Sequence, residues 1–70
     1  MTIEFRDTKG DYIKQWSNWS GIVPMRDDHV LLNFGYYDEK EVEYIVTERG
    51  ISGTNPDKVL LIIEEVAEEK

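Results

Sequence analysis

Five consecutive apolar residues, Val59-Leu60-Leu61-Ile62-Ile63, constrain this chain more than any other stretch of it. Gly50, Gly53, Asn55 and Pro56 form a breaker cluster ahead of them. A helix is one reading, with Asn55 as N-cap, Pro56 at the first helical position and Asp57 in the first turn. Val59, Ile62, Ile63, Val66 and Ala67 would then line one face. A strand covered on both faces is the other reading, since such strands are apolar throughout. Three of the five residues are β-branched and lose side-chain freedom in a helix. The segment before the breaker cluster alternates like a strand and needs a partner. The strand reading is therefore preferred, with residues 64–70 ending as a short acidic turn, a helix or a frayed tail.

The rest of the chain reads as strands and turns. Thr2-Ile3-Glu4-Phe5-Arg6 alternates, with Ile3 and Phe5 inward. Asp7-Thr8-Lys9-Gly10-Asp11 supplies a turn, and 12–19 returns as the second arm of a hairpin. Ile13 and Trp16 fall on opposite faces of a flat strand, so a bulge between them is expected. Residues 29–34 form a strand with Val30, Leu32 and Phe34 on one face. Residues 41–51 form another, with Val42, Tyr44 and Val46 on one face and Glu41, Glu43, Ile45 and Thr47 on the other. Residues 50–58 close a hairpin onto the apolar pentad.

Five short strands with tight turns predict an all-β fold, a small and mostly antiparallel curled sheet or barrel of SH3-like or OB-like form. Seventy residues make a single domain. The expected core is Ile3, Phe5, Trp16, Val30, Leu32, Phe34, Val42, Tyr44, Val46, Val59, Leu61 and Ile63.

One stretch carries a resemblance. Pro24-Met25-Arg26-Asp27-Asp28-His29-Val30 resembles the Pro-x-x-Gly-Asp-x-Val box that precedes a core strand in many SH3-like small barrels, with Asp27 where that pattern has Gly. The run from Glu41 to Val66, two long strands around Asn-Pro-Asp, is similar to small uncharacterised bacterial and phage proteins of about this length. The resemblance implies an all-β barrel and brings no chemistry with it.

Composition excludes several function classes. The chain has no cysteine and one histidine, which removes disulfide scaffolds, thiol nucleophiles and four-ligand Cys/His zinc sites. Fifteen acids against eight bases give a net charge of −7. Residues 1–35 carry five acids and four bases, residues 36–70 ten acids and four bases, so the acidity lies in the second half. Such a field repels phosphate backbones, and no direct nucleic-acid partner is expected. The longest apolar run is those five residues, and Met1-Thr2-Ile3-Glu4 does not open a secretory signal. The expectation is a cytoplasmic protein with no membrane partner, in a host cytoplasm if phage-encoded.

Few residues offer chemistry. Asp27-Asp28-His29 places two carboxylates beside the only imidazole, but consecutive residues entering a strand point apart, and a capping turn is the expectation. No metal and no cofactor is expected. Glu39, Glu41 and Glu43, at period two, project from one face of a strand. They act either as an edge-protecting solvated face or as an acidic recognition surface. Tyr36 and Tyr37, beside Gly35, are the candidate exposed contact pair. Glu64, Glu65, Glu68 and Glu69 would extend the anionic surface if they continue that face. Asn18-Trp19-Ser20 matches a glycosylation sequon, which lacks meaning without a secretory route.

No catalytic set assembles, so the chain is expected not to be an enzyme. The expected function is a non-catalytic acidic protein-binding module, an inhibitor or regulator of phage type acting on a host protein with a basic surface. Its binding residues would be Tyr36, Tyr37, Glu39, Glu41 and Glu43. Two alternatives stand beside it. One is a structural component that self-associates through Leu31, Ile45, Leu60 and Ile62. The other is a sponge for a nucleotide signal, with Arg6, Lys14, Arg26 and Arg49 as its cationic anchors.

Overall fold

The computed structural model describes residues 1–33 and 41–66. Its five strands are β1 (Thr2–Arg6), β2 (Tyr12–Trp16), β3 (His29–Asn33), β4 (Glu41–Ile51) and β5 (Lys58–Glu65). They form one sheet in the order β2-β1-β5-β4-β3, which curls through 218° as a half-barrel. The all-β expectation holds, and the apolar pentad is a strand. It occupies the centre of the sheet, antiparallel to β4 and parallel to β1. That central place explains its composition: Val59, Leu61 and Ile63 are buried on the concave side, while Leu60 and Ile62 are half-buried on the convex side.

Both expected hairpins form. In the first, Asp7 Oδ1 accepts from the amides of Lys9 and Asp11 at 2.8 and 2.9 Å, and Gly10 takes φ +90°. That conformation is open to glycine without steric cost. The pairing Phe5–Lys14 is followed by Arg6–Tyr12, so Ile13 is the extra residue of a bulge. Through it Ile13 and Trp16 both pack against the core, as their positions required. The strand ends at Trp16, however, rather than running to residue 19. Asn18 has φ +55° and breaks the extended backbone there.

The core is Ile3, Phe5, Val30, Leu32, Val46, Val59, Leu61 and Ile63. Trp16, Trp19, Val23, Ile13 and Tyr44 pack against it from the rim. Phe5 meets Trp16 edge-on with ring centres 4.8 Å apart, and Trp16 stacks on Trp19 at 4.5 Å. Val42, expected inside, is only half-buried, and Phe34 lies outside the described residues.

Residues 17–28 carry the chain from one sheet edge to the other. Trp19 anchors this crossing: its amide donates to Met1 O at 2.7 Å and its indole Nε1 to Ile22 O at 3.0 Å. The crossing ends at Asp27 and Asp28, whose backbones bond Val46 at 2.8 Å each and extend the β3–β4 pairing. Asp27 takes φ +74°, a conformation that costs an L-residue and suits glycine. Asp28 Oδ2 accepts from Met25 N at 2.8 Å and closes the turn.

Candidate functional site

Residues paired across strands share a face, so the register places every described acid of interest. His29, Ile45 and Glu64 lie in one row across β3, β4 and β5. Leu31 and Glu43 lie in the next row, and Asn33 with Glu41 in the one beyond. All of these are on the convex side. A register slip between Val46 and Glu48 makes a bulge in β4 and turns Glu48 to this same side, opposite Ile62. Thr47, at the bulge, donates through Oγ1 to Ile62 O at 3.2 Å.

The convex face therefore holds an apolar diagonal, Leu31, Ile45 and Ile62, with Glu41, Glu43, Glu48 and Glu64 around it. All four carboxylates are exposed. Leu31 is 54% exposed, while Ile45 and Ile62 are half-buried by their neighbours. His29 Nδ1 is in hydrogen-bond contact with Glu43 Oε2, both side chains about half exposed. The imidazole thus gives one of these acids a hydrogen-bond partner across strands.

Glu41 and Glu43 are thus brought together, and Glu64 joins their face from β5. Tyr36, Tyr37 and Glu39 lie outside the described residues, as do Glu68 and Glu69. Glu65 does not share the convex face: it pairs with Tyr44 on the concave rim. Burial, with the nearby Glu65 charge, pushes the Tyr44 hydroxyl above its ordinary pKa. Asp27, Asp28 and His29 do not converge. The first presents its backbone to Val46, the second caps Met25, and the third turns to Glu43. Among the described residues no group of three or more His, Asp or Glu is arranged to hold a metal ion. Arg6 and Lys14 belong to opposite faces, so these two anchors of a nucleotide site do not meet.

Glu4 carries no mark in the local sequence. It is the buried charge of the described residues, 4% exposed on the convex side of β1. Lys58 Nζ sits 2.7 Å from Glu4 Oε1, and Arg6 Nε contacts Glu4 Oε2. Arg6 also donates through Nη1 to Gly10 O at 2.7 Å. The hydrogen bond from Lys58, aided by that from Arg6, outweighs burial and holds the Glu4 carboxyl below the usual carboxylate range. A residue on the polar side of an alternating strand gives no sign of this. The signal appears only once β1 lies beside β5, which brings Thr2 opposite Lys58.

No known protein family, curated protein or solved structure matches the chain. Among the described residues no helix is long and apolar enough to cross a membrane.

Proposed function

We propose that this chain is a non-catalytic acidic protein-binding module that acts on a partner with a basic surface, as an inhibitor or regulator of it. The observation that carries this reading is the convex face, where Glu41, Glu43, Glu48 and Glu64 surround Leu31, Ile45 and Ile62. An apolar centre within a charged rim is the usual anatomy of a transient interface. The rim charges steer a basic partner to the face, and the apolar diagonal excludes water once it is seated.

The test is capture of partners from lysate at low and moderate salt, with the native chain and with a Glu41→Lys/Glu43→Lys variant. A basic protein recovered in near-equal amount, weakened by salt and lost with the double reversal, supports the reading. Recovery unchanged by the reversal overturns it. A second reading, self-association as a structural component, draws on the exposure of Leu31 beside Ile45 and Ile62. Sedimentation at high concentration separates the two, since the binding module alone runs as a single chain.

A further inference from the structure

The half-barrel has two edges, β2 and β3, and the space between them has a definite width. No Cα of β2 lies within 8 Å of a Cα of β3, so the two strands do not pair. Yet the ammonium of Lys14 on β2 donates to the carbonyl oxygen of Asn33 on β3. At Lys14 and Asn33 the opening is therefore wider than one strand spacing but no wider than the lysine stem and hydrogen bond that span it. Adjacent strands sit about 4.8 Å apart, so two spacings come to roughly 9.6 Å, the room that one further strand occupies. The curl agrees. Five strands over 218° advance by roughly 55° per step, which leaves about two and a half steps to complete a barrel.

The backbone of β3 is turned to receive such a strand. Val46 N donates to Asp28 O, so the two-residue alternation of an antiparallel pair directs Val30 and Leu32 toward β4. The amides and carbonyls of His29 and Leu31 then point into the opening. Lys14 reaching Asn33 O, two residues further on, follows the same alternation. Residues 17–24 cross nearby, but among the described residues no backbone hydrogen bond joins them to β3. Within β3 itself, His-Val-Leu-Leu-Asn, there is no proline or lysine, and among the described residues the inward-pointing Lys14 of β2 guards its Asn33 end.

We propose that the β3 edge binds an extended segment of a protein partner as a sixth strand, and that this segment alternates basic and apolar residues. The inference rests on the protein-binding reading above and gives its mode. Main-chain hydrogen bonds to His29 and Leu31 supply the attachment, as in other cases of strand addition. Alternate side chains of the added strand face inward beside Val30 and Leu32, which sets them apolar. The others lie on the convex side next to Leu31, within reach of Glu41 and Glu43, which sets them basic.

The test titrates the intact protein with a short, end-capped peptide alternating lysine and valine. Its controls are a glutamate–valine peptide and a lysine–valine peptide N-methylated at alternate amides. The expected result is tight binding of the first peptide only, with exchange of the Leu31 amide slowed at least tenfold. N-methylation removes main-chain donors while keeping charge, and leaves the protein unaltered, so it should cost at least tenfold in affinity. Equal binding of the N-methylated peptide, or binding with no protection of Leu31, overturns strand addition and leaves the acidic-face reading standing. No binding of the lysine–valine peptide overturns the proposed occupant. Protection of Leu31 that rises with protein concentration alone also overturns it, in favour of a second copy of this chain.

Discussion

Lys14 on β2 donates from its ammonium to the backbone oxygen of Asn33 on β3, and so ties the two free edges of the half-barrel together. Lys14 stands opposite Phe5 on the concave side, where an inward-pointing charge on an edge strand also discourages pairing with other chains. A hydrogen bond from a charged donor contributes about 1.5–3 kcal/mol when well formed.

Lys14→Met keeps the stem and removes the donor. It should lower stability by about 1–2 kcal/mol in urea melts, the half-exposed setting reducing the full value. Amide exchange at the end of β3 should quicken with it. Unchanged exchange in β3 would show that the tie does not hold the edges.

The Glu4 cluster makes a pH prediction. Its carboxyl is lowered in the folded state, chiefly by the Lys58 hydrogen bond. A lowered folded value means that its contribution is fully present above the unfolded value of about 4.3 and is lost as pH falls through the folded value. Stability measured from pH 7 downward should therefore fall once the pH passes below the ordinary carboxylate range. Glu4→Gln should flatten that fall, as read by denaturant midpoints at several pH values.

Removing the carboxylate altogether leaves Lys58 and Arg6 without their shared partner. Both cations keep some access to water and can turn outward. Glu4→Ala should thus cost about 2 kcal/mol, less than the roughly 3–5 kcal/mol seen when a fully enclosed pair is broken. Glu4→Leu should recover part of the loss, because Leu60 lies beside it and an apolar side chain refills the space that alanine leaves at this buried position.

Asp27 stands in the left-handed region without the freedom of glycine. Asp27→Gly should be neutral or stabilise by up to about 1 kcal/mol, and Asp27→Val should destabilise by about 1–2 kcal/mol. The two substitutions moving thermal stability in the same direction would show that backbone conformation is not what governs this turn.

Gly21 lies under Trp19, where an added Cβ would stand 2.7 Å from the indole ring carbon Cζ2. Gly21→Ala should displace the indole, costing about 1–3 kcal/mol and altering tryptophan fluorescence. The Trp16–Trp19 stack should loosen with it. Stability and emission both equal to the native chain would mean that Trp19 is not held by this contact.

Much of the architecture was legible in the chain alone. Glu41 to Thr47 alternates, and one face of such a strand must be buried, so its facing up to Val46 followed from period two. Ile13 and Trp16 demanded a bulge because two large apolar side chains on one strand otherwise point apart, and a bulge forms, at Ile13 itself rather than between the two. The Val59–Ile63 pentad read as a strand because β-branching and two-sided cover agree. What did not show was the point where alternation breaks inside a strand. The bulge after Val46 turns Glu48 to the convex side, and nothing in Val-Thr-Glu-Arg announces it.

The candidate face was half legible for the same reason. Glu41 and Glu43 share a side by local spacing alone, whatever the rest of the chain does. Their joining with Glu64 and Leu31 depends on which strands are neighbours. Local sequence thus determined strand positions, inward residues, turn chemistry and the concentration of acid in the second half. The tertiary structure decided that β1 lies parallel to β5, that Glu4 is buried between Lys58 and Arg6, and that β2 and β3 are the two sheet edges, bridged by Lys14 and Asn33. Those three follow from contacts between residues far apart in the chain. Side-chain period is a property of one strand, whereas partner, register and curl are settled only when the whole sheet closes over its core.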